Sequence, residues 1–263
     1  IVLENGIEFI TTFLSVVNKC ISAPLNPNYS IGEYNFYYTD LKPKIIITNF
    51  EVDHPAVICA KKKNIKIITV DELIFNKKNN LRKLSSKKNA KPAGNDTALI
   101  LHTSGTTSRP KMVPLSHKNL LKSSDNISKS LKLQKKDKNI ILMPSFHIHG
   151  IVASILAPLY KGAQVVALPK FNVLSFYNYL SIHKPTWFTA VPTMLQSIVD
   201  RAKNNKNIIK KNNLRFIRSS SASLPSNTLK EVESIFKVPV IESYGMTEAS
   251  HQMTTNLLPP YIR

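Results

Sequence analysis

Apolar residues along this chain alternate between short continuous runs and segments with helical spacing. The short runs predict β-strands at residues 44–48, 65–70, 97–102, 139–143, 163–167, 187–191, 214–219 and 238–242. Between them, apolar residues recur three or four positions apart, which is typical of amphipathic helices. This spacing predicts helices at residues 7–20, 55–63, 117–131, 150–161, 173–183, 193–203 and 225–236, with Ser116 as the N-cap of the third.

Repeated strand–helix units predict an α/β fold in which largely parallel sheets are covered by helices on both faces. In such sheets, ligands bind at the carboxyl ends of the strands. The polar, basic stretch at residues 76–95 interrupts the alternation only briefly, so it is interpreted as a surface loop and not as a domain boundary. No run of eighteen apolar residues occurs, and a transmembrane helix is therefore not expected.

The net charge of +20 has two interpretations. It could mark a surface for nucleic acid, and a basic nucleic-acid-binding module stays open as an alternative from a different class. The lysines, however, cluster with asparagines in loops such as residues 61–64 and 202–213, without the interleaved aromatic residues that single-strand binding favours. We therefore favour biased composition, expect no specific nucleic-acid partner, and note that an anionic substrate would gain some electrostatic steering.

The strongest chemical signal is a hydroxyl-rich loop that directly follows the predicted strand 97–102. Hydroxyls and backbone N–H groups in a tight loop can bind phosphate oxygens, and a lysine adds a point charge. The spacing GxxxxGK[ST] of a Walker loop is absent. The loop consists of Thr103, Ser104, Gly105, Thr106, Thr107, Ser108, Arg109, Pro110 and Lys111.

Three further polar motifs follow later predicted strands. A serine-rich turn spans residues 219–224, and a second turn carries His147 and His149. Paired histidines can suggest a metal site, but no Cys, Asp or Glu lies nearby in sequence to complete a zinc ligand set. The last motif is Tyr244, Gly245, Met246, Thr247 and Glu248. Because all these motifs lie at strand ends, we expect them to form one shared site.

The hydroxyl-rich loop resembles the phosphate-binding signature of the adenylate-forming superfamily, which contains acyl-CoA synthetases, luciferases and peptide-synthetase adenylation domains. The motif at residues 244–248 resembles the adenine and metal motif of the same superfamily, in the expected order. Two positions depart from the usual pattern, since Ser108 and Met112 stand where glycine is usual. The resemblance implies that residues 1–263 are part of the large N-terminal AMP-binding domain, truncated at both ends, with the small C-terminal domain absent.

The resemblance also implies roles for individual residues. Tyr244 is expected to stack on adenine, Thr247 to bond the α-phosphate, and Glu248 to hold Mg²⁺, a cation that takes few carboxylates and keeps phosphate oxygens as ligands. His147 is expected to gate the acyl pocket or contact the substrate carboxylate. The remaining residues assigned to the nucleotide and acyl pockets are Ser221, Ala222, Ser223, His149 and His251.

Within the superfamily, the Ser-rich motifs most resemble the oxalate–CoA ligase subgroup. A small dianion needs hydroxyls and cationic or donor groups in place of lost water, whereas a fatty acid needs a long apolar tunnel. The resemblance therefore implies activation of oxalate by ATP and transfer to coenzyme A. Ligation of a coumarate-like or medium-chain acid, and transfer to an acceptor other than coenzyme A, stay open. We expect residues 1–263 to be inactive alone and the location to be cytoplasmic or peroxisomal; the sequence predicts no oligomeric state.

Overall fold

The computed structural model describes residues 1–72, 91–103 and 110–260. Its strands are β1 Ile45–Ile47, β2 Lys66–Ile68, β3 Thr97–Thr103, β4 Lys111–Ser116, β5 Lys138–Ile141, β6 Gln164–Val166, β7 Trp187–Ala190, β8 Phe216–Ser220, β9 Val240–Met246 and β10 His251–Thr255. Its α-helices are α1 Ile7–Val17, α2 Ile31–Leu41, α3 Pro55–Lys62, α4 His117–Ser130, α5 Ala157–Tyr160, α6 Val173–His183, α7 Pro192–Asp200, α8 Lys206–Lys210 and α9 Ser226–Phe236. The predicted loop at 76–95 lies mostly outside the described residues.

The largest sheet in the described part of the chain has six strands in the order β10-β9-β8-β7-β5-β6. Strands β6, β5, β7, β8 and β9 are parallel to their neighbours, as the strand–helix alternation predicts, and β10 pairs with β9 in the antiparallel sense. Two smaller sheets accompany it: β1 and β2 form a parallel pair, and β3 and β4 form an antiparallel hairpin. The prediction of an α/β fold with largely parallel sheets is confirmed.

The six-stranded sheet is buried on both faces because helices cover each side. Side chains on one strand alternate between faces. Trp187 and Phe216 pack into one apolar cluster, with ring centroids 5.4 Å apart, while their neighbours Phe188 and Ile217 pack into the other. This double burial explains why these strands are recognisable in the sequence as continuous apolar runs.

Several predicted elements differ in detail. Ser116 caps α4 as predicted, because its hydroxyl accepts a hydrogen bond from the backbone N–H of Asn119 at 3.1 Å. The predicted helix 150–161 is a π-helix over His149–Leu156 that continues into α5. The predicted strand 238–242 extends to Met246, so Tyr244 to Met246 lie within β9 and do not follow it, because β10 pairs along them.

Helix α2 and strands β4 and β10 were not among the sequence predictions. Helix α2 lacks a continuous apolar stripe and buries Tyr34 and Tyr38 instead, four residues apart on one face. It begins with a capping box in which Ser30 and Glu33 satisfy each other's backbone N–H groups. Among the described residues, no helix combines the length and apolar character needed to cross a bilayer.

Candidate active site

A cavity of about 540 Å³ lies at the carboxyl ends of β8 and β9, where ligands of parallel sheets bind. Its volume is in the range of small-molecule sites. Five of the residues predicted to bind the nucleotide line it, namely Ser221, Ala222, Ser223, Tyr244 and Gly245. Tyr244 is 64% exposed, so its aromatic side chain is accessible to a base.

Gly245 is required by close approach of two backbones. A Cβ atom placed on Gly245 would lie 1.5 Å from the carbonyl oxygen of His251 on the neighbouring strand β10. Any side chain at this position would therefore push β10 away from β9. The glycine of this motif thus sets the spacing of the two strands beneath the cavity.

The predicted phosphate loop and the predicted metal residue meet in space. The hydroxyl of Thr103, at the end of β3, donates a hydrogen bond to Oε1 of Glu248 at 3.4 Å. Lys111 is the first residue of β4 and is the register partner of Thr103 in the hairpin. The predicted contacts Ser104, Gly105, Thr106, Thr107 and Ser108 lie outside the described residues. Thr103, Lys111 and Glu248 nevertheless bring two stretches that are 145 residues apart in the chain to one place.

Glu248 lies in a short 3₁₀ turn, Thr247–Ala249, that connects β9 to β10. Helix α4 is bonded to the residue that follows this turn, because the hydroxyl of Ser123 donates a hydrogen bond to the carbonyl oxygen of Ser250 at 2.6 Å. No cluster of three or more His, Cys, Asp or Glu side chains occurs in the described ranges. An exposed carboxylate beside a hydroxyl suits Mg²⁺, which takes one or two carboxylates and completes its shell with phosphate oxygens and water.

The three predicted pocket histidines separate into two environments. His147 is exposed and, together with Phe146 and Thr247, contributes to a small cavity of about 40 Å³. His149 and His251 are only 1% and 2% exposed, and their rings stack with centroids 4.7 Å apart. The structure thus brings His149 and His251 together and leaves His147 outside their cluster.

Arg218, on β8, completes this buried cluster and was not among the predicted site residues. It is fully buried. Its Nη1 donates to Nε2 of His149 at 3.2 Å and to the hydroxyl of Thr189 at 3.1 Å. Its Nη2 donates to Nε2 of His251 and to Oε1 of Gln252, both at 3.1 Å. The predicted strand 214–219 carries two arginines, and nothing in the sequence distinguishes the buried Arg218 from Arg215, which pairs with Asp137.

The buried cluster carries one positive charge that no carboxylate balances within the described part of the chain. Burial lowers the pKa of Arg218 to about 9, so the guanidinium stays protonated at neutral pH. Burial, and then the charge of Arg218, hold the pKa of His251 well below its usual value; burial, His251 and Arg218 do the same for His149. Both imidazoles are therefore neutral. Nε of Arg218 has no hydrogen-bond partner among the described atoms.

Ser221 connects the buried cluster to the cavity. Its hydroxyl lies 2.9 Å from Nδ1 of His149, while the residue itself lines the cavity wall. Its backbone has a φ of 74°, in the left-handed region that non-glycine residues rarely adopt. The hydrogen-bonded groups of Arg218, His149 and Ser221 thus extend from the core to the cavity wall.

The fold is an α/β domain whose predicted nucleotide motifs lie at the carboxyl ends of parallel strands. The family model for the AMP-binding enzyme matches residues 1–262, and the chain belongs to this family. It is 39% identical to the oxalate–CoA ligase of Arabidopsis thaliana over 97% of the chain, and 36% identical to the oxalate–CoA ligase of Saccharomyces cerevisiae over 98%. These matches cover 51% and 52% of the two relatives, so the chain spans about half their length.

Among solved structures, the chain is similar to ATP-bound MatB from Rhodopseudomonas palustris. The TM-score is 0.83 at 25% identity, over 99% of this chain and 51% of that one. This similarity extends over the whole described fold. The resemblance to the adenylate-forming superfamily is therefore confirmed, as is the fold expected from it. The individual site residues remain predictions.

Proposed function

We propose that the protein is an ATP-dependent acid–CoA ligase and that its acid is oxalate. The observation that carries the proposal is the contact of Thr103 with Glu248, three residues beyond Gly245 in the wall of the cavity that Tyr244 and Ser221 also line. This contact supports a single site for the predicted phosphate, metal and adenine motifs. The names of the two oxalate–CoA ligases support the choice of acid and of coenzyme A.

The reaction has two balanced steps. A substrate carboxylate oxygen attacks the α-phosphorus of ATP, the bond to the bridging oxygen breaks, and pyrophosphate leaves. The thiol of coenzyme A then loses its proton and attacks the acyl carbon, which forms the thioester and releases AMP. The first step needs no general base, because the carboxylate is already ionised at neutral pH. Catalysis therefore rests on positioning and on stabilisation of charge.

Each proposed contact has a physical reason in the site. Thr103, Lys111 and Thr247 supply hydroxyl and ammonium groups for phosphate oxygens. Glu248 would hold Mg²⁺, which neutralises phosphate charge when bound. Tyr244 offers its exposed side chain to the adenine, and Ala222 and Ser223 would form the opposite wall.

Oxalate suits the acyl side of the site because of its charge. A dianion gains from a buried cation, and Arg218 is a buried cation with no carboxylate partner among the described residues. A long apolar chain would gain nothing from this cation, and it would be placed against the exposed hydroxyl of Ser221, which would lose water without compensation.

The test is acid-dependent ATP–pyrophosphate exchange by the protein made from the complete coding sequence. We expect oxalate to support exchange, with coumarate and a medium-chain acid giving little. Subsequent formation of oxalyl-CoA should require coenzyme A. Exchange that depends on another acid, with none for oxalate, would contradict the substrate. Loss of exchange with every acid, in a folded protein that binds ATP, would contradict the reaction.

A further inference from the structure

A chain of hydrogen bonds runs from the buried guanidinium of Arg218 to the wall of the cavity. Nη1 of Arg218 lies 3.2 Å from Nε2 of His149, and Nδ1 of the same ring lies 2.9 Å from Oγ of Ser221. Arg218 and His149 are fully buried, whereas Ser221 lines the cavity. Two hydrogen bonds therefore connect the guanidinium of Arg218 to the wall of the cavity.

The direction of each hydrogen bond follows from the chemistry of the groups. A guanidinium only donates, so Nε2 of His149 must accept. The neutral ring then carries its proton on Nδ1 and donates it to Oγ of Ser221. The hydroxyl of Thr189 accepts from Arg218 at 3.1 Å and lies 2.6 Å from Nε2 of His149, so in this tautomer Thr189 and Arg218 share the one lone pair of that nitrogen.

One consequence concerns the proton of Ser221. A serine hydroxyl has one proton and two lone pairs. Since His149 occupies a lone pair, the proton of Ser221 is not needed for that contact and is free for a group in the cavity. Neighbouring hydrogen bonds polarise one another, so a donor at the end of a chain that begins at a cation is strengthened toward an anion.

We propose that Arg218 is a positioning residue that fixes the His149 tautomer and thereby makes Ser221 a hydrogen-bond donor to the carboxylate of the acid substrate. The proposal rests on the proposed acid-activating function and deepens it. Arg218 acts through His149, and Ser221 is the group that touches the substrate.

The backbone of Ser221 supports a role for its hydroxyl. Its φ of 74° is strained for any residue with a Cβ and is free of strain for glycine. A serine here therefore keeps an unfavourable conformation while placing its hydroxyl against His149. Strain of this kind persists where the surrounding structure holds it, and it is concentrated at functional sites.

Variants at Ser221, His149 and Arg218, in the protein made from the complete coding sequence, test the proposal. Ser221→Ala and Ser221→Gly both remove the hydroxyl, and the glycine also relieves the backbone strain. His149→Asn places an amide N–H near the position of Nδ1 and keeps the donor to Ser221. His149→Gln places its amide near Nε2 and loses that donor.

The readout is the KM for the acid and the KM for ATP in pyrophosphate exchange. We expect both Ser221 variants to raise the acid KM about tenfold or more, as for the loss of a hydrogen bond to a charged group. The ATP KM should change far less. His149→Asn should stay closer to wild type than His149→Gln. In ¹⁵N NMR of the labelled His149 ring, the proton should be on Nδ1 and should no longer be confined there in Arg218→Met.

The matched control is Lys237→Gly, which relieves a similar left-handed φ of 58° at the end of α9 and does not line the cavity. It should leave both KM values unchanged. A wild-type acid KM in Ser221→Gly overturns the proposal, as does a larger effect on ATP than on the acid, or a proton on Nε2 of His149. If the wild type activates a different small acid, the oxalate assignment fails, and the same variants measured with that acid still decide the role of Ser221.

Discussion

Replacement of Arg218 by methionine separates its structural contribution from its contribution to binding. Methionine is similar in length but carries no charge and no N–H donors. The substitution leaves His251 Nε2 and Gln252 Oε1 without their Arg218 donors, while Nε2 of His149 keeps Thr189. Each buried acceptor left unsatisfied costs about 1–3 kcal/mol.

A second effect has the opposite sign. Arg218 is a fully buried cation without a carboxylate partner in the described residues, and a buried ion carries a desolvation penalty of several kcal/mol. Its removal recovers that penalty, which is about as large as the roughly 2–6 kcal/mol lost at the two acceptors. We therefore expect Arg218→Met to change the stability of the folded protein by no more than about 2 kcal/mol, with small shifts of the thermal midpoint.

For acid binding, no gain offsets the loss of the Arg218 charge. Arg218→Met removes the only charge in the cluster, so we expect the KM for oxalate to rise at least about tenfold while ATP binding persists. The assay pairs differential scanning calorimetry with pyrophosphate exchange over a range of oxalate concentrations. Arg218→Lys serves as the control that keeps the charge but not the planar fork. A protein destabilised by more than about 4 kcal/mol, or one with an unchanged oxalate KM, would refute the reasoning.

Three further predictions follow from the same site. Glu248→Ala should lower metal-supported pyrophosphate exchange at least about 100-fold at saturating Mg²⁺, and near-normal exchange would reject the metal assignment. Burial lowers the pKa of His149 and His251, so below their ordinary pKa the unfolded chain binds protons that the folded protein does not. The free energy of unfolding should therefore be highest above pH about 6.5 and fall as the pH drops below it. The double variant His149→Asn, His251→Asn should show a smaller fall in thermal melts recorded over this pH range. Gly245→Ala should destabilise by about 2 kcal/mol or more in calorimetry, because the new Cβ meets the backbone of His251; an unchanged melting temperature would contradict this.

The sequence predicted the elements whose local pattern agrees with their environment in the fold. Strand β7 is an apolar run because it is buried on both faces, and helix α4 begins at Ser116 because its capping groups are neighbours in sequence. Helix α2 was missed because its buried face is made of tyrosines, although the capping box of Ser30 and Glu33 was a usable signal.

The buried polar cluster around Arg218 was not predicted from the sequence, for a different reason. The motif residues around Ser221 and Glu248 were recognised by resemblance; Ser221 and Tyr244 line one cavity, and Glu248 contacts Thr103. Arg218 has no local signature, because the burial of a cation depends on which side chains of β7 and β10 surround it. Strand β10 was itself not predicted, and it supplies His251 and Gln252, so the polar cluster could not be assembled from the sequence.

The turn between β9 and β10 is only a few residues long, and its side chains face two different environments. Glu248 lies on the solvent side against Thr103, and His251 lies on the interior side against Arg218. Because three positions separate Glu248 from His251 in one turn, we expect the two side chains to move together. Under the proposed function, a shift of the Glu248 carboxylate would also move the imidazole near the acid, so by reciprocity each substrate would alter the affinity for the other. We therefore expect any change of acid selectivity made at this turn to change nucleotide binding as well.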